Sequence, residues 1–259
     1  MANLYYAEQL AEAPLAPGTV VEVTGDEAHH AVRVSRLRTG ERILIGDGQG
    51  RIGEGEVETA ERDRFTVRLD TVHEAATPAP ALVLVQALAK GDRDERAIEQ
   101  ATEFGVDAIV PWQANRSVSR WNGSGDKAER GCEKWQRIAR EAAKQSLRPR
   151  IPGVRPLTSL AGLCELAALP STEVIALHPR GNHPLSAWVS AHAATLNGGA
   201  GGAHEVVVVV GPEGGFSDTE LDRLEAAGAQ IAVLGETVLR TSSAGPAALA
   251  VLNVALGRW

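Results

Sequence analysis

The hydrophobic pattern changes character near residue 75. Before that point, short strand-like runs at Val20 to Val23, Arg42 to Ile45 and Phe65 to Leu69 are punctuated by Gly40, Asp47-Gly48 and Gly53, which predicts a small β-rich domain. Thr71 to Pro80, with Pro78 and Pro80 and few large apolar residues, reads as a linker into the apolar run Ala81 to Ala89. The predicted domains are 1-74 and 75-259. In the second, apolar runs alternate with helical patterns: Leu82 to Leu88, a helix from Asp92 to Phe104, Ala108 to Val110, a helix within 130–148, Val174 to Leu177, Val206 to Val210 and Ile231 to Leu234. Strands without polar alternation are buried on both faces, so this half is expected to be α/β, a mainly parallel sheet flanked by helices. Asn197 to Ala203, NGGAGGA, reads as a flexible surface loop.

With 259 residues, 44% hydrophobic and 23% charged, disorder is excluded as the main state. No run approaches the roughly 18 to 20 apolar residues of a membrane span, and MANLYYAEQL lacks the basic start and apolar stretch of a signal peptide. Cys132 and Cys164 lie far apart without a CxxC pair or a histidine cluster, which argues against a disulfide scaffold or a zinc site. A soluble protein of the reducing cytoplasm is expected, with no metal; His29 and His30 have no ligand partners at metal spacing.

The net charge of −7 speaks against a nucleic-acid partner until its distribution is read. Residues 1 to 72 hold 8 Arg against 13 Asp or Glu, whereas residues 130 to 155 hold 8 Lys or Arg against Glu133 and Glu141 alone. Arg130, Lys134, Arg137, Lys144 and Arg148 fall at helical steps opposite Trp135, Ile138, Ala139 and Ala142. Such a face is either a solvated helix surface or a row of phosphate contacts. Pro149 is expected to stop the helix near Leu147.

Glu205 to Glu220, EVVVVVGPEGGFSDTE, reads as strand, glycine turn and helix, with Ser217 and Glu220 at capping-box spacing. Gly211, Gly214 and Gly215 allow the main chain to approach a ligand closely, and ligands of open α/β sheets bind beyond the carboxyl ends of strands. The segment is neither GxGxxG nor GxxxxGK[ST], so dinucleotide and P-loop readings lose their motifs, and a plain tight turn stays open. A second turn, LGETVLRTSSA from Leu234 to Ala244, precedes an apolar helix, Ala247 to Leu256, with Ser242 or Ser243 as cap. Two turns at one sheet edge favour a pocket.

HPR at His178 to Arg180, GPEGGF at Gly211 to Phe216 and LGETVLRTSSA at Leu234 to Ala244 resemble the three signature segments of the RsmE family, ribosomal RNA small subunit methyltransferases of the SPOUT superfamily. KGDRDERAIEQATEFGVDAIVP (Lys90 to Pro111), EAAKQSLR (Glu141 to Arg148) and HHAVRVSRLRTGE (His29 to Glu41) extend the likeness along the whole chain. The resemblance implies a PUA-like β-barrel domain that helps hold RNA, then a SPOUT methyltransferase domain with a carboxyl-terminal trefoil knot. It further implies S-adenosylmethionine as cofactor, a homodimer, and methylation of uridine at N3 in small-subunit ribosomal RNA, free or in the assembled small subunit.

Carried over on the matching residues, Gly211, Pro212, Glu213, Gly214 and Gly215 would form one cofactor wall. Leu234, Gly235, Leu239, Arg240, Thr241, Ser243 and Ala244 would form another, with Leu177, His178 and Pro179 close by. Relatives often carry Arg where this chain has Thr237, and Glu-Thr-Ala or Ser-Thr-Ala where it has Ser242, Ser243 and Ala244. Arg240 is the candidate for stabilising a uracil anion, because a guanidinium stays charged and is no base. Glu213 is either a proton acceptor or a structural carboxylate, and His178 is a base or a packed wall. The RNA-binding candidates are Arg33, Arg36, Arg38, Lys90, Arg93, Lys144 and Arg148, with Arg36 and Arg38 on one face of an extended segment. Ribose 2′-hydroxyl methylation, a non-catalytic RNA-binding assembly factor and a generic nucleotide-binding protein are the competing readings.

Overall fold

The computed structural model describes residues 3–7, 10, 15–121, 126–196 and 204–259, so the NGGAGGA segment lies outside the described residues. The chain divides into two compact units, Met1–Thr77 with Ala143–Ile151, and Pro78–Ala142 with Pro152–Trp259.

In the first unit, β1 (Leu4–Tyr6), β2 (Val20–Thr24), β3 (Arg42–Gly46), β4 (Arg51–Glu61) and β5 (Arg64–Glu74) form a sheet in the order β1-β3-β4-β5-β2. It is antiparallel except for the β1–β3 pair. Alternation puts Val21, Val23, Ile43, Ile45, Val57, Phe65, Val67 and Leu69 into the core. The sequence pattern missed β4 because Gly53 reads as a break, with Gly55 two residues on. They are what lets β4 lie on β5: a Cβ on Gly55 would stand 2.1 Å from the Arg68 carbonyl oxygen, beside a register shift at Glu54/Gly55. The segment from His29 corrects the extended expectation. A short helix, α1 (Gly25–His29), runs into a π-helical turn, His30–Val34, and Arg36 follows at φ 57°. Ala28, Ala31 and Leu37 are buried along this path, a spacing that a helical turn satisfies and a strand does not.

The second unit orders β6 (Ala81–Ala87), α2 (Arg93–Glu103), β7 (Ala108–Trp112), α3 (Lys127–Gln145), β8 (Gly153–Val154), α4 (Leu160–Ala167), β9 (Thr172–Leu177), β10 (His183–Pro184), α5 (Leu185–Leu196), β11 (Glu205–Val210), α6 (Asp218–Ala226), β12 (Gln230–Val233) and α7 (Thr241–Ala255). Its sheet is parallel throughout, in the order β10-β12-β9-β11-β6-β7-β8. Leu82, Leu84, Val206 and Val208 pack in one core layer, whereas Val83, Val85, Val207 and Val209 pack in the other, which is why these strands carry no polar alternation. No helix among the described residues is long and apolar enough to cross a membrane.

Two helix boundaries differ from expectation. The α3 helix ends at Gln145, where the Arg148 N–H donates to the Ala143 carbonyl at 2.9 Å, the Leu147 N–H donates to the Lys144 carbonyl at 3.2 Å, and Leu147 sits at φ 55°. This Schellman turn, not Pro149, stops the helix. The α7 helix begins at Thr241 rather than Ala247, so Ser242 and Ser243 lie in its first turn and Arg240 occupies the cap position without a side-chain bond. Gly245 and Pro246 look like breakers, yet both are buried, and a Cβ on Gly245 would stand 2.8 Å from Leu84. That glycine admits a close helix-to-sheet approach.

Candidate active site

The carboxyl ends of β9, β11 and β12 lie side by side, with Val210 opposite Leu177 and Leu177 opposite Ala232. The segments leaving them enclose a cavity of about 550 Å³ lined by Leu177 to Pro179, Gly211 to Phe216, Val238 to Thr241, Arg93 and Ala244. A second cavity of about 100 Å³ adds Leu234 and Gly235 and shares Leu177 to Pro179, Val238, Leu239 and Ala244. Both glycine turns therefore meet at one sheet edge, at the position where α/β sheets bind ligands. Ser243 lines neither cavity.

Local chemistry fixes the first turn. Phe216 is buried against Trp112 at 5.5 Å between ring centroids and meets the edge of His178 at 5.9 Å, and a Cβ on Gly211 would come within 3.0 Å of its ring. Gly215 takes φ 67°, which a side chain would strain. The Ser217 hydroxyl accepts from the Glu220 N–H, while the buried Glu220 carboxylate accepts from the Ser217 and Asn115 N–H groups at 2.7 Å each. Arg116 donates to the Gly214 carbonyl at 2.9 Å. Neither Arg116 nor Asn115 was legible as part of the site, because both lie in the loop after β7, distant in sequence.

The second turn is joined to the first by Thr241. Its buried hydroxyl donates to the Gly211 carbonyl and accepts from Gln86 of β6. Glu213 is held by the Arg93 guanidinium and accepts from the Lys90 N–H at 3.0 Å. Partial burial raises the Glu213 pKa, but its backbone amide, Arg93 and the Lys90 amide outweigh that and hold it below the usual range. A carboxylate stabilised in its ionised form is a poor proton acceptor. The His178 Nδ1 accepts from the Arg180 N–H at 3.1 Å, which puts the proton of the neutral ring on Nε2. Burial and then Arg180 push its pKa down; Asp218 pulls it up, and Arg116 adds a smaller push down. Arg240 is exposed at the rim of the larger cavity.

The basic residues scatter in role. Arg33, Arg36, Arg38 and Lys90 are exposed. Arg93 is drawn into the cavity wall by Glu213. Lys144 is not on a solvated basic face: its side chain is 6% exposed and its Nζ lies 3.0 Å from Glu27, with both residues in the first unit. Arg148 is half-buried, and its carbonyl accepts from the Tyr6 hydroxyl at 2.7 Å. Trp135 and Ala139 are buried, as the helical spacing predicts, but periodicity does not show that the residues from Ala143 belong to the first unit.

A parallel sheet with glycine turns walling a pocket at its strand ends, in a chain that also carries a small β-unit, is the architecture of an RNA methyltransferase of SPOUT type. The RNA methyltransferase domain model matches residues 77–253 and the RNA methyltransferase PUA domain model residues 23–70. The chain is 38% identical to ribosomal RNA small subunit methyltransferase E of Mycobacterium bovis, over 100% of this chain and 94% of that protein. It is 30% identical to the protein of that name in Bacillus subtilis, over 95% and 92%. A methyltransferase of Legionella pneumophila, solved with its bound cofactor SAM, superposes with a TM-score of 0.79 at 25% identity, covering 98% of each chain. The chain belongs to the ribosomal RNA small subunit methyltransferase E family.

Proposed function

We propose that the chain transfers a methyl group from S-adenosylmethionine to N3 of a uridine in small-subunit ribosomal RNA, as a cytoplasmic homodimer acting on the free RNA or the assembled subunit. In this reading residues 1-74 hold RNA and residues 75-259 carry the transfer. The observation that carries it is the cavity at the ends of β9, β11 and β12, walled by all three segments that resemble the family signatures. Its volume lies within the roughly 300–1,000 Å³ range of small-molecule sites. The walls suit the cofactor: a Cβ added to Gly235 would meet nothing within 4 Å, and among the described residues no lysine lines either cavity. The trefoil knot implied by the family would be threaded by the segment ahead of α7; the packing of Gly245 on Leu84, two strands beyond β9 from β12, supports that path.

S-adenosylmethionine supplies an electrophilic methyl group on a sulfonium. The chain must align the nucleophile, exclude water and lower the cost of the uracil anion. Leu177, Leu234, Leu239 and Ala244 give apolar walls, and main-chain groups of the glycine turns do the polar holding. Arg240 places a permanent positive charge at the rim, and the start of α7 adds the positive end of a helix dipole, both suited to charge developing on the uracil carbonyl oxygens. Glu213 and His178 act as anchor and wall rather than as base.

The test is methyl transfer from labelled S-adenosylmethionine to purified small subunits lacking their native methylations, followed by digestion to nucleosides. Label in N3-methyluridine is expected; label on a ribose would overturn the base assignment, and cofactor binding without transfer to any RNA would favour a non-catalytic assembly factor.

A further inference from the structure

The first unit contains a cavity that the methyl-transfer site does not use. Its volume is about 140 Å³, and it is lined by Asn3, Leu4, Tyr5, His30, Ser35, Lys144, Gln145 and Leu147, all within that unit. At roughly 30 Å³ per water of the liquid this holds about five, more than one bound ion or water needs and comparable with one nucleobase. Two of its polar atoms, the Tyr5 hydroxyl and the His30 Nδ1, are buried with no hydrogen-bond partner among the described residues. Tyr5 is 1% exposed, and burial pushes its phenol up; the Ser35 and Asn3 side chains beside it pull the other way without reaching hydrogen-bond geometry, and Glu27 and Glu41 add a smaller push, so it stays a neutral donor. Lys144 lies 5.7 Å from the Tyr5 ring centroid, and its charge is already balanced by Glu27. The lining therefore asks for a neutral partner that accepts hydrogen bonds rather than for an anion.

The backbone adds a separate observation. Among the described residues, the non-glycine positions with positive φ are Arg36 and Leu147. Leu147 lines this cavity and Arg36 adjoins Ser35, which lines it too. At Leu147 the left-handed residue closes the turn that ends α3, and at Arg36 it follows the π-helical turn, so two helix ends border this cavity. Arg33, Arg36 and Arg38 leave the same segment as exposed cations suited to a phosphate backbone.

We propose that this cavity receives one unpaired nucleobase of the substrate RNA, presenting polar atoms of its edge to Tyr5 and His30. The inference rests on the RNA-methyltransferase reading for the identity of the ligand, but not on which atom is methylated. Bases splayed from single strands are recognised in this way, by hydrogen bonds to their edges.

The test compares binding of a uridine decamer and an abasic ribose-phosphate decamer to the full chain and to Tyr5→Phe, His30→Ala and Ser35→Ala. The readout is the effect of the substitutions, because the pocket at Arg240 also takes a base. Each variant is expected to bind the uridine decamer several-fold to about tenfold more weakly while binding the abasic decamer as the wild type does. Tyr5→Phe removes an unpartnered hydroxyl and should keep or raise the melting temperature, which separates lost recognition from lost folding. Variants that bind both decamers like the wild type, or lose affinity for both alike, would overturn the proposal. Absence of methyl transfer to small-subunit RNA, with the decamer result intact, would instead sink the functional reading and leave the pocket standing.

Discussion

The Thr241 hydroxyl donates to the Gly211 carbonyl at 2.7 Å, so the first residue of α7 is tied to the end of β11 and both glycine-bearing walls are held in one register. The same oxygen accepts from the Gln86 side chain at 2.9 Å, inside the sheet. Thr241→Val keeps the shape and removes both bonds. Leaving buried polar groups unpaired costs about 1–3 kcal/mol, so a lower melting temperature and weaker S-adenosylmethionine binding by calorimetry are expected. Thr241→Ser should recover most of both; equal losses in Val and Ser would locate the effect in packing.

Arg240 caps α7 with its side chain at the cavity rim and none of the structural bonds that occupy Thr241. Its substitution should therefore separate chemistry from binding. Arg240→Ala is expected to lower kcat by about 10²- to 10³-fold, the scale for losing one preorganised charge-stabilising donor. The cofactor Kd should change little. Turnover equal to the wild type would remove Arg240 from the mechanism.

Arg93 and Glu213 act as one unit, a pair 43% and 31% exposed whose carboxylate also accepts from the Lys90 N–H. An exposed pair contributes little, roughly 0–1 kcal/mol, so Arg93→Ala and Glu213→Gln should each raise the cofactor KM by no more than a few-fold. The double variant should be barely worse than either, since each single change already breaks the contact. If Glu213 were the base, Glu213→Gln alone would collapse kcat and abolish the acidic limb of the pH profile, while Arg93→Ala would not.

The turns and apolar strands of the second unit were legible because double-sided burial writes itself as uninterrupted runs, as in Ala81 to Ala87, and because Ser217 and Glu220 announce their helix start locally. What escaped was set by distant partners. Gly53 and Gly55 spell a break until Arg68 and Leu69 lie across them, and Gly245-Pro246 spells a helix boundary until Leu84 fills the space beside it. Arg93 and Lys144 carry the composition of RNA contacts, but Glu213 and Glu27 claim them, at separations of 120 and 117 residues. A charge's role depends on which opposite charge folding brings near, and periodicity does not report that.

His178 supplies a test that pH alone can read. Desolvation and Arg180 favour its neutral form in the folded chain, outweighing the opposing pull of Asp218, and Arg116 adds a smaller push the same way. The unfolded histidine keeps its ordinary pKa near about 6.5. As pH falls through that value the unfolded state takes up a proton that the folded state still refuses, so stability is lost with falling pH and is fully present above it. His178→Asn keeps an acceptor for the Arg180 N–H but has no proton to gain. Between about pH 7.5 and about pH 5.5, the wild-type melting temperature is therefore expected to fall further than that of the variant. The neutral ring also predicts that His178→Asn leaves the shape of the kcat/KM profile near pH 7 unchanged. Parallel melting curves for the two proteins would show that the fold does not disfavour the imidazolium, and would return His178 to the candidates for proton transfer.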